Sequence, residues 1–188
     1  MKESILAIPD VKVFDVSKFE DSRGFFSETF NKKRLADLGI DVDFVQDNQS
    51  LSREPFTLRG LHMQAPPFEQ AKLVRVTRGR ILDVCVDVRV GSPTYCKWVS
   101  AVISAEAWNQ IFVPVGFLHG FVTLEPNTEV QYKVSNYYNK SSEGGVIWND
   151  PDLAIDWSID GRADVIISDK DAVLPKLREF QSPFVHAV

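Results

Sequence analysis

The sequence predicts a mainly β protein, a jelly-roll sandwich or barrel with a few short helices, and three observations carry that expectation. Short runs rich in β-branched and aromatic residues follow one another through most of the chain, as strands do. Turn-forming clusters separate them, among them Asp21-Ser22-Arg23-Gly24, Gly91-Ser92-Pro93 and Glu125-Pro126-Asn127. Helical periodicity is scarce, so crossover helices for a parallel sheet are missing, and the strands must bury their apolar faces against each other.

Taken in order, strands are expected over 11–19, 25–30, 58–64, 72–80, 81–89, 97–104, 110–124 and 128–138. Alternation is clearest in the run from Arg80 to Arg89, where Leu82, Val84, Val86 and Val88 share one face and Asp83, Asp87 and Arg89 the other. The apolar face is expected to pack on another sheet, and the polar face to line a solvated cavity. A helix is expected over 32–38, closed by Gly39 as a C-terminal cap. A second short helix or turn begins at Ser168-Asp169-Lys170-Asp171. With no internal repeat and no low-complexity linker, residues 1–188 read as one domain with a less regular C-terminal third.

Composition narrows the function. A chain of 188 residues, 44% hydrophobic and 25% charged, is long enough for a real core and is ordinary globular material rather than disorder. The net charge of −5 lacks the basic surplus of a nucleic-acid binder, so no such partner is expected, although local basic pockets for phosphates remain open. No stretch approaches the roughly 20 apolar residues of a membrane span. Pro9 interrupts the N-terminal stretch before a signal-peptide core develops. Cys85 and Cys96 are too few for a disulfide framework and are expected as reduced, partly buried thiols, which makes the cytoplasm the expected compartment.

The three histidines can be weighed singly. His186 is expected in a solvated tail, and His119 lies in the apolar Pro114-Val115-Gly116-Phe117-Leu118-His119-Gly120-Phe121, where a histidine is usually structural. His62 sits in the polar Arg59-Gly60-Leu61-His62-Met63-Gln64, and Arg59 and Lys72 nearby are costly to bury without an anionic partner or ligand. Pro114-x-Gly116-x-x-His119 looks like half of the metal motif of small jelly rolls of the cupin superfamily. The other half supplies two histidines one residue apart and a glutamate, whereas here His62 is followed by Met63 and Gln64. Too few ligands remain for a metal site, so a metal-free cupin is expected.

A longer series of motifs then carries a specific resemblance. Asp21-Ser22-Arg23-Gly24-Phe25-Phe26-Ser27-Glu28, Gln46-Asp47-Asn48-Gln49-Ser50, Leu58-Arg59-Gly60-Leu61-His62 and Gln70-Ala71-Lys72-Leu73-Val74-Arg75-Val76 come in order. The Asp83–Arg89 and Val113–Phe121 stretches, Tyr132-Lys133, Trp148-Asn149-Asp150-Pro151 and Ser168-Asp169-Lys170-Asp171 complete it. From about residue 5 to 175 the chain resembles the dTDP-4-dehydrorhamnose 3,5-epimerases, a metal-independent cupin family of deoxysugar biosynthesis. Met63 stands where that family more often has an aromatic residue.

The resemblance implies epimerisation of dTDP-4-dehydro-6-deoxy-D-glucose at carbons 3 and 5 to dTDP-4-dehydro-L-rhamnose, with no cofactor, by a homodimer whose exposed strand edges give it a reason to pair. It assigns the base to His62, oriented by Asp171, a carboxylate that fixes the imidazole tautomer and stabilises the imidazolium. Tyr132 becomes the acid on the opposite face, and alternation with Val130 and Val134 points it inward. Lys72 stabilises the enolate oxygen. Without the resemblance these would be a helix-capping aspartate, a core tyrosine and a solvated lysine. Arg23 and Arg59 would grip the diphosphate, and Glu28, Gln46 and Asn48 would contact the nucleotide. Tyr138 would stack on the thymine, with His119, Lys170 and Glu143 as further ligand contacts. Strict alternation puts Arg59 and His62 on opposite strand faces, so both reach one cavity only if Gly60 marks a bulge or bend. Two other readings stay open on the residues: a single-centre epimerase of a related 4-keto-6-deoxy nucleotide sugar, and a non-catalytic sugar-binding jelly roll.

Overall fold

The computed structural model describes residues 2–159 and 165–186. Its elements run β1 (Lys2–Ser4), β2 (Lys12–Asp15), β3 (Phe19–Asp21), β4 (Gly24–Phe26), α1 (Lys32–Ala36), β5 (Gln46–Ser52), β6 (Leu58–Gln64) and β7 (Lys72–Arg78). They continue with β8 (Arg80–Asp87), β9 (Trp98–Ser104), β10 (Asn109–Val113), β11 (Phe117–Thr123), β12 (Thr128–Val134), β13 (Glu143–Gly145) and α2 (Asp169–Ala172). Strands β1-β2-β10-β7-β12-β5 form a six-stranded sheet, β13-β6-β11-β8-β9 a five-stranded one, and β3-β4 a separate hairpin. From β5 onward the chain passes repeatedly from one sheet to the other, which gives the expected jelly roll. Gly79 turns the corner from β7 into β8 at φ 75°, where an added Cβ would lie 2.3 Å from the Thr128 hydroxyl.

The inner faces of both sheets build one core. Val74 and Val76 of β7, Ile111 of β10 and Val130 of β12 meet Ile81 and Cys85 of β8, Val99 and Ile103 of β9, and Phe121 of β11. Each such side chain contributes roughly 1.5–3 kcal/mol by leaving water. A second layer covers the outer face of the five-stranded sheet: Leu82, Val84, Val86 and Val88 pack against Leu153, Trp157 and Phe184 of the C-terminal segment.

That second layer corrects the expectation for 81–89. The apolar face of β8 lies not on another sheet but under the C-terminal coil, and the polar face points inward without a solvated cavity, since Asp83 and Asp87 are both fully buried. A period of two tells which residues share a face, not which layer covers it. Asp87 is held by Arg89, Ser92 and Thr94. Asp83 belongs to the site below.

Other differences have local causes. The run 110–124 is two strands in different sheets, because Pro114 lacks an N–H for the ladder and Gly116 turns the chain at φ 89°. Continuous hydrophobicity hid the break, since both strands are buried. β5 was not expected because Gln46-Asp47-Asn48-Gln49-Ser50 is polar; it is an edge strand, half in water, where polar residues deter unwanted pairing. Strands expected over 11–19, 25–30 and 128–138 are shorter, ending at Asp15, Phe26 and Val134. The expected helix forms at Lys32–Ala36, with the Asn31 side chain accepting from the Arg34 N–H. At its end the Ile40 N–H reaches Leu35 O and the Gly39 N–H reaches Ala36 O, each at 2.9 Å, with Gly39 at φ 76°. Cys85 and Cys96 are both free thiols. Among the described residues no helix is long and apolar enough to cross a membrane.

Candidate active site

Strands from both sheets frame a cavity of about 290 Å³. β6 lends it His62, Met63 and Gln64 from the five-stranded sheet; β5, β7 and β12 lend Gln46 and Asn48, Lys72, and Tyr132 from the six-stranded sheet. Tyr138 and Glu143 stand at its mouth. Strand parity explains the inward set: Lys72 precedes Val74 and Val76, and Tyr132 lies between Val130 and Val134. The pairs Tyr132↔Asn48 and Val134↔Gln46 then put both β5 amides on the same side.

β6 carries the bulge that its sequence demands. Phe121 and His119 of β11, two residues apart, pair with Arg59 and His62, three apart. Gly60, at φ 125°, occupies the extra position, and an added Cβ would lie 2.6 Å from Gly120 Cα and 2.9 Å from His119 O. The irregularity lets Arg59 act on Tyr132 electrostatically while His62 lines the cavity.

His62 Nε2 donates to Asp171 Oδ1 at 2.8 Å, and the Gly60 N–H donates to Asp171 Oδ2 at 3.2 Å. α2 delivers the aspartate from 109 residues away, with Ser168 capping the helix through the Asp171 N–H. Burial pushes the Asp171 carboxyl up, but the hydrogen bonds from His62, Gly60 and Ser168 outweigh it and hold the group below its ordinary value. Asp171 therefore accepts, His62 carries its proton on Nε2, and Nδ1 has no hydrogen-bond partner among the described residues.

Opposite, the Tyr132 hydroxyl is also without a hydrogen-bond partner among the described residues. Burial raises its pKa, Glu143 adds to the rise and Arg59 opposes it, so the phenol stays protonated at neutral pH. Burial pushes the Lys72 ammonium down to about 8 against the pull of Asp83, Cys85 and Glu143. Lys72 Nζ lies 3.4 Å from His119 Nδ1, and His119 Nε2 donates to Asp83 Oδ2 at 2.8 Å. His119 is thus buried behind Lys72 rather than on the cavity wall. His62 and His119 are cross-strand neighbours, but each ring is engaged by an aspartate and an ammonium stands beside them, a poor setting for a metal cation.

Two further groups close the mouth. Glu143 accepts from Lys170 Nζ at 2.5 Å and from the Tyr138 hydroxyl at 3.2 Å. The Tyr138 N–H donates to Gln46 Oε1 at 3.2 Å, and Gln46 donates to Asn48 Oδ1 at 2.8 Å. Of the expected contacts, Arg59, His119 and Lys170 stand near this cavity without lining it, and Arg23 and Glu28 lie away from it. Arg23 sits at the tip of the β3-β4 hairpin, 87% exposed and paired with Asp21, while Glu28 faces Arg34. A larger cavity of about 490 Å³ adjoins through Asn48 and Tyr132, but it is lined by no histidine. Sequence reasoning gave no role to Asp83, Gln64 or Gln70. A charge among the valines of β8 was the signal for the first. Gln64 holds the loop after β6 through Phe68 O and the Asn139 N–H.

Comparison with known proteins follows the same line. The family model for dTDP-4-dehydrorhamnose 3,5-epimerase matches residues 5–179. The chain is 48% identical over 179 residues to the dTDP-4-dehydrorhamnose 3,5-epimerase of Sinorhizobium fredii, covering 95% of this chain and 91% of that protein. The Bacillus anthracis enzyme of that name, solved with TDP and PPi bound, is 47% identical with a TM-score of 0.89, over 94% of this chain and 99% of that one. The dTDP-6-deoxy-D-glucose-3,5-epimerase of Legionella pneumophila, solved in complex with dTDP-4-keto-L-rhamnose, is 39% identical with a TM-score of 0.93, over 99% of both chains. Motif order, double-sheet fold and near-complete coverage agree, and the chain belongs to the dTDP-4-dehydrorhamnose 3,5-epimerase family.

Proposed function

We propose that this chain converts dTDP-4-dehydro-6-deoxy-D-glucose to dTDP-4-dehydro-L-rhamnose, with His62 as base, Tyr132 as acid and Lys72 as the cation at the ketone oxygen. The observation that carries this reading is that a histidine and a tyrosine rise from opposing sheets to line one cavity, with a lysine beside them. A sugar ring lying between the sheets meets a base on one face and an acid on the other.

At each centre the chemistry uses each group once. His62 Nδ1 takes the proton from carbon 3 or carbon 5, both next to the ketone, and the imidazolium is stabilised by Asp171. The electron pair moves to the ketone oxygen as an enolate, which the Lys72 ammonium stabilises; at neutral pH a group titrating at about 8 is mostly charged. The Tyr132 hydroxyl returns a proton to the opposite face, inverting the centre; His62 then releases its proton to solvent and Tyr132 regains one before the second carbon reacts. A general acid or base supplies roughly 10²–10⁴-fold, so stabilisation of the enolate must supply much of the remainder. Only protons move, so no redox cofactor is required, and Lys72 takes the place that a Lewis-acid metal would hold at the enolate oxygen. The two free thiols suit a cytoplasmic setting.

Proton NMR of dTDP-4-keto-6-deoxyglucose in heavy water tests this directly. The signals at carbons 3 and 5 should both disappear as rhamno product forms, at the same rate after exhaustive chelation. Exchange at one carbon only would make the chain a single-centre epimerase. No exchange would leave a binding protein, and a loss on chelation restored by one metal would overturn the metal-free mechanism.

Arg23 and Glu28 enter this reading through a second copy of the chain. The β3-β4 hairpin carries exposed Phe19, Phe25 and Phe26 beside Arg23, a surface suited to burial in a homodimer. If Arg23 reaches the partner's nucleotide, the variants Arg23→Ala and His62→Asn, each nearly inactive at low substrate, should regain activity when unfolded, mixed and refolded together. A mixed dimer then holds one intact site. Mixed dimers with no recovery would place Arg23 in its own chain's site or in none.

A further inference from the structure

Asp83 is a carboxylate in the middle of a valine-rich strand, fully buried, and the proton transfers above make no use of it. Such a group is expensive to bury unless it has partners. Its Oδ2 accepts from His119 Nε2 at 2.8 Å, and its Oδ1 lies 3.7 Å from the Cys85 thiol. His119, held in that orientation, turns its Nδ1 lone pair toward Lys72 Nζ at 3.4 Å. The three side chains come from three strands: Asp83 from β8, His119 from β11 and Lys72 from β7. They run as a line from the core to the cavity wall, with Lys72 alone in contact with the cavity.

We propose that Asp83 is a positioning residue for Lys72: it fixes His119 in the Nε2–H tautomer that accepts from the lysine, and its charge keeps that lysine an ammonium aimed into the cavity. This rests on the function proposed above, since only an ammonium at the ketone oxygen gives the line a purpose. The groups around Lys72 support it. Asp83 and Cys85 face it from β8, His119 from β11, Glu143 from β13 and Tyr132 from β12. Burial pushes the Cys85 thiol up, so it stays uncharged, and burial pushes His119 down, so the imidazole stays neutral. Glu143 is committed to Lys170 and Tyr138. Glu143 still pulls on the lysine, but less than Asp83, the largest of the groups that raise it. The lysine, lowered by burial to about 8, would fall further without Asp83.

The pH dependence of kcat/KM for Asp83→Asn tests the proposal. Activity needs the ammonium and falls as pH rises through the Lys72 pKa, near 8 in the parent protein. The substitution keeps the shape and removes the charge, so the alkaline limb should move down by about one pH unit or more. The acidic limb should stay. A folded variant with both limbs at parental positions would overturn the proposal, whatever its rate. A parent protein without activity at any pH would instead sink the function itself. If Asp83→Asn does not fold, two-bond ¹H–¹⁵N spectra of the unaltered protein decide. His119 should be neutral and protonated on Nε2, and a proton on Nδ1 would overturn the assignment.

Discussion

His62→Asn should abolish exchange of the sugar hydrogens at both carbon 3 and carbon 5 while leaving the fold and much of the nucleotide affinity in place. The side chain is half-buried on β6 and makes one hydrogen bond to Asp171 through Nε2; the shorter asparagine amide gives up that bond but fits the space. What it cannot do is accept a proton from carbon. His62 is the cavity's one histidine, and the nearest other ring, His119, has its Nδ1 turned to Lys72 and its Nε2 to Asp83. A loss of about 10³-fold or more is expected, within the range of a general base together with the dyad that orients it. Measured as deuterium incorporation by proton NMR on protein of native circular dichroism, near-parental exchange at either carbon would remove His62 from the mechanism. Loss at one carbon alone would mean that two bases operate.

Tyr132→Phe should separate exchange from inversion. The ring packs on the core beside Val130 and Val74, and phenylalanine retains nearly all of that contact. Its hydroxyl has no protein partner to lose among the described residues, so stability should change little. His62 can still remove a proton and return one to the same face, and Lys72 can still hold the enolate. Solvent deuterium should therefore enter the substrate with its original configuration faster than inverted product appears, with inversion down by roughly 10²–10⁴-fold. A variant that inverted both centres near the parental rate would exclude Tyr132 as the acid and leave the role to water or another side chain.

The two variants differ in how legible their residues were. Tyr132 could be placed from alternation with Val130 and Val134, because period two in a half-buried strand is a local property of the backbone. The jelly roll was legible for a similar reason: runs of β-branched residues, turn clusters and the lack of helical periodicity are each local. So was the bend at Gly60, demanded by the conflict between Arg59 and His62 and present as a bulge. The pairing of His62 with Asp171 came from the resemblance, since nothing local links residues 109 apart.

Where local patterns were silent or misleading, the cause is the covering layer. Leu82 and its neighbours were assigned correctly to one face, but only the packed C-terminal segment decided that this face lies outside the sandwich, and so that Asp83 lies within. The polar β5 reads as loop until β12 pairs with it and turns Gln46 and Asn48 toward the cavity. Arg23 and Glu28 carry the family's motif yet lie off the cavity, because a motif records which residue types recur and not where the fold puts them. By itself the sequence determined the fold class, the chemistry available and the direction of most strand faces, all set by short-range periodicity and residue type. Tertiary structure decided which face is core, which aspartate meets which histidine and where the cavity opens, because those depend on contacts between strands far apart in the chain.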